Sequence, residues 1–546
     1  MRAAAAGAVA VLLLAACTAS GEDDEPTPGP SPSPSVTAAA PLPAATASAL
    51  PAPIATVDVE RLAWGPTLAQ WDEALATARS LPLAHAAGQV IVTDLYTPDV
   101  EVAVDRVRRH HLGGVILMDG AAPSADAVSA LAAALDDVDD RSWPVWISAD
   151  EEGGLVSRLS AAVPSLASFM AAGAATDKGA VTSAYRASAG DMRALGVNVD
   201  YAPVADVTIG TADPIIRTRS AGDRPKAVAR TVTAAVEGFV AGGLVPVIKH
   251  FPGHGSVTVD SHVGLPVQDR SVERLARADL VPFAEAIDAG APAVMMGHIV
   301  VPEWGEEAAT FEPRAYGYLR DELGFTGAII TDALNMGAVT GSRDSGQAAV
   351  DALAAGADVL LMPRNAGDAA EAIVEAVRTG RVTRDRLDEA AARSILLMRW
   401  SAGLDTAVPA QGYARAFAAA GMTVATEDCD APLLGRKVSI VSGPDDARAA
   451  LATRLEDAGV EVGDAGTTIA LVASGRMHAT ADVVVSLGAP WGIFASDAET
   501  YIATYGSSRP TIAALADVLT GAAEAGGDWP VTMSAAPFAA CAVSSG

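Results

Sequence analysis

"VPVIKHFPGHGSVTVDSH", residues 245–262, changes character part-way along. Residues 245–248 are apolar without alternation, the pattern of a strand buried on both faces. Lys249 and His250 end that run, and Pro252, Gly253 and Gly255 then break regular structure and mark a loop. Seven other runs have the same make-up: QVIVTDL (89–95), GGVILM (113–118), VWISAD (145–150), VNVDYAPV (197–204), AVMMGH (293–298), GAIITD (327–332) and ADVLLMP (357–363). Longer Ala-rich helical stretches separate them. Short β-rich runs alternating with helices build parallel sheets. Eight such units are expected to close into an α/β architecture, a (β/α)8 TIM-type barrel over residues 56–405. A doubly wound open sheet fits the same spacing, because periodicity does not report closure.

The polar residues are not scattered along these runs. Asp150 ends the third, Lys249 and His250 the fifth, His298 the sixth and Asp332 the seventh. In a barrel these ends lie on one face, and their side chains converge on a common mouth. A lone Asp after a strand is commonly a helix cap, a role open to Asp332 ahead of ALNMGAV. Capping does not account for several charged residues at the same end of different strands. The loop after His250 starts at this mouth, and Gly253 and Gly255 are expected to leave it mobile. Asp260 and His262, two apart, fall on one side of an extended segment, where a carboxylate can fix an imidazole's tautomer and favour its protonated form. That pair is a candidate general acid/base on a moving arm.

The chain's 546 residues suit two to four domains at about 150 residues each. Lys and Arg number 37 against 66 Asp and Glu, a net charge of −29 that repels a phosphate backbone, so no nucleic-acid partner is expected. Only the N-terminus carries an uninterrupted apolar run, which excludes a multi-span membrane protein. That run, MRAAAAGAVAVLLLAAC, has Arg2, an apolar stretch and small residues before Cys17, so residues 1–16 read as a signal peptide. LAAC (14–17) resembles the lipobox of bacterial lipoproteins, which implies a lipid on Cys17 and an exported chain tethered at the extracytoplasmic face of the cell membrane. Residues 17–55, rich in Pro, Ser and Ala, read as a disordered spacer. Past the barrel, KVSIVSG (437–443), TIALVAS (468–474), DVVVSLGAPWG (482–492) and RPTIAALADVL (509–519) begin a new series, expected to form a smaller α/β sandwich domain over residues 406–546. Cys429 and Cys541 either pair in an oxidising compartment or stay buried and free.

The motifs DEEGGLVSRL (150–159), IIRTRSAG (215–222), KHFPGHG with DSH (249–262), AVMMGHIVVP (293–302), IITDALNMGAV (329–339) and GADVLLMP (356–363) resemble those of glycoside hydrolase family 3, and within it the bacterial β-N-acetylglucosaminidases. YIATYGSSRPTIAALADVLTG (501–521) is similar to that family's second domain. The resemblance implies a retaining exo-acting enzyme that removes terminal N-acetylglucosamine from cell-wall fragments or chitooligosaccharides through a covalent glycosyl intermediate. By position, Asp332 matches the nucleophile and Asp260 with His262 the acid/base dyad. Asp150, Arg158, Arg219, Lys249 and His250 match residues that hold the sugar. Neither a cofactor nor a metal is implied, and no phosphate cradle or nicotinamide fingerprint is present. The chain is expected to act as a monomer on a carbohydrate substrate.

Three alternatives compete. A β-glucosidase or β-xylosidase of the same family draws its acid/base from elsewhere, so DSH speaks against it. A non-catalytic sugar-binding lipoprotein on the same fold would lack matched catalytic residues. Zinc held by His250, His254 and His262 needs a ligand spacing that a Pro/Gly-broken loop beside Lys249 does not offer; His254 reads as a loop-fixing partner and His298 as structural. The chain also departs from the family pattern. Ser256 and Val257 stand where Asp or Asn and then Thr are usual, DALNM stands for DDLSM, and RTRSAG stands for GDRSFG. These changes bear on substrate fit and leave every matched residue in place.

Overall fold

Each of the eight apolar runs supplies one strand of a parallel sheet in the computed structural model, which describes residues 60–408, 410–473, 478–534 and 536–541. The strands are β1 (Ile91–Leu95), β2 (Gly114–Leu117), β3 (Trp146–Ala149), β4 (Val199–Asp200), β5 (Val245–Phe251), β6 (Ala293–Met296), β7 (Ala328–Thr331) and β8 (Leu360–Leu361). Their order is β8-β1-β2-β3-β4-β5-β6-β7, and a parallel bridge between Ile330 and Val359 brings the two edges together. The sheet is a barrel and not the open alternative. Its strands are buried throughout apart from Asp94, so the unbroken apolar runs are explained by helices outside and packed side chains inside.

The last barrel helix, Arg384–Ala402, returns to the first strands. Its Ser394 hydroxyl accepts from Gln89 Nε2 and Trp146 Nε1, both at 3.1 Å. At the end away from the mouth, buried Asp358 accepts from Arg320 at 2.6 Å and Arg386 at 2.8 Å. Burial raises that carboxyl's pKa, but the surrounding guanidiniums outweigh it and keep Asp358 ionised.

A second sheet follows: β9 (Thr423–Thr426), β10 (Lys437–Ser442), β11 (Glu461–Val462), β12 (Thr467–Val472), β13 (Val483–Ser486) and β14 (Thr500–Ala503), in the order β9-β14-β13-β12-β10-β11. Only β9 runs antiparallel to its neighbour. The fourth run of this region, RPTIAALADVL, is helical (Arg509–Thr520), with Ser508 as N-cap and Pro510 in the first turn. A proline lacks the N–H that a central strand must donate but is at home there. The strand in that place is TYIA, just upstream. Cys429 and Cys541 are joined, 112 residues apart, and Cys541 N–H bonds the Val424 carbonyl in β9 at 2.7 Å.

The second sheet's domain is hydrogen-bonded to a loop and a helix of the barrel. Ser168 donates its hydroxyl (2.6 Å) and amide (3.2 Å) to the Tyr505 carbonyl, and Tyr413 donates to Asp191 at 2.9 Å. Among the described residues no helix is long and apolar enough to cross a membrane. The expected signal peptide, Cys17 and spacer lie outside the described residues.

Candidate active site

The pairing of β5 with β6 shifts register between Ile248 and Phe251, so Lys249 and His250 sit in an irregularity of the strand. Such irregularities re-aim side chains, and both residues line one cavity of about 310 Å³ at the C-terminal ends of the strands. Asp150, Arg158, Arg219, His262 and Asp332 line it too, and Asp260 reaches it through His262. All eight residues singled out in the sequence therefore come together. The volume lies at the lower end of the roughly 300–1,000 Å³ typical of small-ligand sites.

One wall is a ring of charges. Lys249 Nζ bridges Asp150 and Glu152, the latter at 2.6 Å, and Arg219 grips Glu152 with two bonds of 2.7 and 2.8 Å. Glu152 is only 2% exposed. Burial pushes its carboxyl up, but the Arg219 and Lys249 cations outweigh burial and hold it far below the usual carboxylate range. Burial likewise lowers Lys249, and Asp150 with Glu152 more than reverses this. Glu152, Lys249 and Arg219 therefore stay charged, and the remaining N–H donors of the two cations are available to sugar oxygens. Arg158 pairs with Asp119 at 2.6 Å.

Arg219 owes its place to Asp213. That buried carboxylate accepts from the Thr208 hydroxyl (2.8 Å) and from the amides of Ile215 (3.0 Å), Ile216 (2.8 Å) and Arg217 (2.9 Å), tying the turn that presents the 3-10 segment Arg217–Arg219. Within the turn Arg217 adopts φ = 46°, the left-handed region, at the position where the family pattern carries glycine.

Asp206, like Glu152 and Asp213, was not singled out in the sequence. It is fully buried, and its Oδ2 lies 2.7 Å from His250 Nδ1 while Oδ1 accepts from the amides of His254 (2.6 Å) and His250 (3.2 Å). Burial raises the Asp206 carboxyl, and the two histidines outweigh it, so Asp206 titrates below its ordinary range. His250 Nε2 then faces Arg219 Nη2 at 3.5 Å. Glu152 lies inside the motif DEEGGLVSRL and Asp206 two residues past the run VNVDYAPV, and neither ends a strand, the feature that marks the other site residues.

Asp332 follows β7 and accepts from the Ala333 amide at 2.7 Å. It caps no helix, since the next one, Gly337–Thr340, has Met336 as its N-cap. Burial raises its carboxyl, and His250 and His298 pull it below the usual range, leaving an anion at the cavity wall. His298 is fully buried, with Nε2 3.0 Å from the Ala333 carbonyl and Nδ1 2.8 Å from Thr310 Oγ1. Burial lowers its pKa, so a neutral ring donates from Nε2 and braces the segment that carries Asp332.

The segment of Asp260 and His262 is a turn and not an extended strand. Asp260 Oδ1 accepts from the His262 amide at 2.9 Å and from its Nδ1 at 2.8 Å, so a side-chain-closed turn, and not strand alternation, brings the pair together. Gly253 and Gly255 give the loop its shape. Gly253 has φ = 118°, and a Cβ on Gly255 would stand 2.5 Å from the Val207 carbonyl oxygen. His254 Nε2 meets Ser261 Oγ at 2.9 Å, and the Ala338 amide donates to the Ser261 carbonyl at 3.2 Å, docking the loop on the segment after Asp332. The His262 ring stays 61% exposed, with Nδ1 on Asp260. His250, His254 and His262 thus spend ring nitrogens on separate partners, and among the described residues no group of three His, Cys, Asp or Glu is arranged for a metal.

The sequence pattern of the glycosyl hydrolase family 3 N-terminal domain matches residues 83–397. The chain belongs to glycosyl hydrolase family 3. It is 33% identical over 319 residues to β-hexosaminidase A of Pseudoalteromonas piscicida, and spans 53% of that relative's length. A β-hexosaminidase of Xylella fastidiosa is 37% identical over 279 residues, which are 50% of this chain and 82% of that one. The structure of a family 3 β-N-acetylglucosaminidase from Paenibacillus superimposes with a TM-score of 0.73 at 27% identity, covering 83% of this chain and 99% of the other. This family member therefore carries its barrel and second domain in an arrangement found in a solved relative.

Proposed function

We propose that the protein is a retaining exo-β-N-acetylglucosaminidase that releases terminal N-acetylglucosamine from cell-wall fragments or chitooligosaccharides. The observation that carries this reading is one cavity shared by an ionised Asp332, the ring of Asp150, Glu152, Arg219 and Lys249 with Arg158 beside it, and an imidazole paired with a carboxylate. The names of its relatives support the substrate.

In this reading the sugar lies against the charged ring, with Asp332 below the anomeric carbon. His262 gives the Nε2 proton to the departing oxygen while Asp332 forms the glycosyl bond. Water then attacks the anomeric carbon, His262 takes its proton back, and Asp332 leaves as carboxylate. Burial pushes Asp260 up, but the His262 amide and ring hold it below its usual range, so it stays an anion able to stabilise the imidazolium. Asp206 orients His250 in the same manner. Methionines 118, 295, 336 and 362 line the cavity and give it apolar surface suited to a methyl-bearing substituent.

A slow fluorinated substrate followed by peptide mass spectrometry tests the assignment: the label is expected on the peptide of Asp332 with retained anomeric configuration. Label on Asp150, or inversion, contradicts it. We also propose that Cys17 carries lipid outside the cytoplasmic membrane, on the strength of LAAC; Cys17→Ser should release the protein from the membrane fraction, and unchanged retention refutes the anchor.

A further inference from the structure

A second cavity of about 550 Å³ adjoins the sugar pocket. Tyr96, 54% exposed, lines both, and Met362 of the sugar pocket is two residues from Arg364 of the second. In a chain of net charge −29, this cavity gathers the guanidiniums of Arg106, Arg109 and Arg364 against the carboxylates of Asp94 and Asp105. Arg106 donates to the Asp94 carbonyl and lies 3.6 Å from its carboxylate. Arg109 pairs with Asp105 along the exposed face of one helix, a contact that contributes little. Arg364 makes no side-chain hydrogen bond or ion pair among the described residues.

The backbone around Arg364 is nevertheless held. The Asn365 amide donates to Ser345 Oγ at 3.0 Å, and that hydroxyl donates to the Asn365 carbonyl at 2.9 Å. Asn365 Oδ1 also caps the helix Ala366–Arg378, accepting from the amides of Gly367 (3.0 Å) and Asp368 (3.2 Å). A Cβ on Gly367 would stand 2.9 Å from the His110 ring, so this loop is seated against the helix that carries Arg106 and Arg109. An exposed guanidinium on a held loop, unpaired among the described residues and lining one cavity with two others, suits a planar oxyanion.

We propose that this cavity binds a carboxylate or phosphate carried by the leaving-group part of the substrate, so that the enzyme selects anionic over neutral glycosides. The inference rests on the glycosidase reading above. Its test uses the purified full chain and three substrates with N-acetylglucosamine β-linked to glucose, to glucuronate and to glucose 6-phosphate. At low salt the charged leaving groups should be favoured in kcat/KM by roughly five- to tenfold, with the better of the two showing which oxyanion the cavity takes. High salt should erode that ratio, and in Arg364→Ala it should fall to about one. A ratio near one in the unaltered enzyme, or a ratio that survives both Arg364→Ala and Arg106→Ala, overturns the proposal. Failure to cleave all three substrates overturns the glycosidase reading itself, and this inference with it.

Discussion

Asp206 Oδ2 stands 2.7 Å from Nδ1 of His250, and Asp206 is fully buried beneath it. The carboxylate fixes which nitrogen of His250 is protonated, and with it what Nε2 shows to the cavity. Asp206→Asn keeps an oxygen for the His254 amide but turns an NH2 group toward Nδ1, reversing the tautomer. The expected loss in kcat/KM is roughly a hundredfold or more with the fold intact. Circular dichroism and kinetics on one preparation check it; undiminished activity would show that His250 needs no orientation.

His262→Ala separates proton donation from binding. A dinitrophenyl group departs without a proton, whereas a sugar alkoxide does not. His262→Ala should lose on the order of a hundredfold on a disaccharide and far less on the dinitrophenyl glycoside. Asp260→Ala should show the same pattern more mildly, and Asp332→Ala should fail on both substrates. Equal losses for His262→Ala on the two would assign it a structural role.

Arg217→Gly should stabilise the protein. At φ = 46° an L side chain is strained by about 1 kcal/mol, which glycine avoids. Because the hydrogen bond from the residue 217 amide to Asp213 is kept, activity should be unchanged and the melting temperature slightly higher. A lower melting temperature would mean that the Arg217 side chain contributes more than its backbone costs.

Glu151, buried beside the ring, has its carboxyl pushed up to about 7 by burial, against hydrogen bonds from Ser157 and the Leu159 amide. The folded protein keeps this acid protonated where the unfolded chain has ionised it. Stability is therefore lost as pH rises from the ordinary carboxylate range to about 7, and changes little above that. Glu151→Gln removes the effect. Between pH 4 and pH 8 it should lose less stability than the parent, by on the order of 2–3 kcal/mol. Denaturant midpoints of both proteins at the two pH values decide it, and parallel losses would refute the assignment.

The barrel was legible because its evidence is local. A strand covered on both faces must be apolar along its length, and a loop that leaves the sheet needs polar residues, Gly or Pro. Those demands fall on consecutive residues, so eight runs and their polar ends could be read directly. RPTIAALADVL has an apolar content that suits strand and helix alike, and its proline is the local signal that favours the first turn of a helix.

The sequence by itself determined the repeated βα units, the family resemblance and the eight residues that meet at the mouth. Only the tertiary structure decided barrel closure, the pairing of Cys429 with Cys541, and the partners that make the site work. Glu152 balances Lys249 and Arg219, Asp206 holds His250, Asp213 ties the turn before Arg219, and the Asp260 side chain closes the turn that positions His262. Most of these partners are far apart in the chain and need not end a strand. Which carboxylate meets which cation is set by the packing of different strands and loops at one end of the barrel, and burial then makes each pairing obligatory, because an unmatched charge there would cost more than the fold could offset.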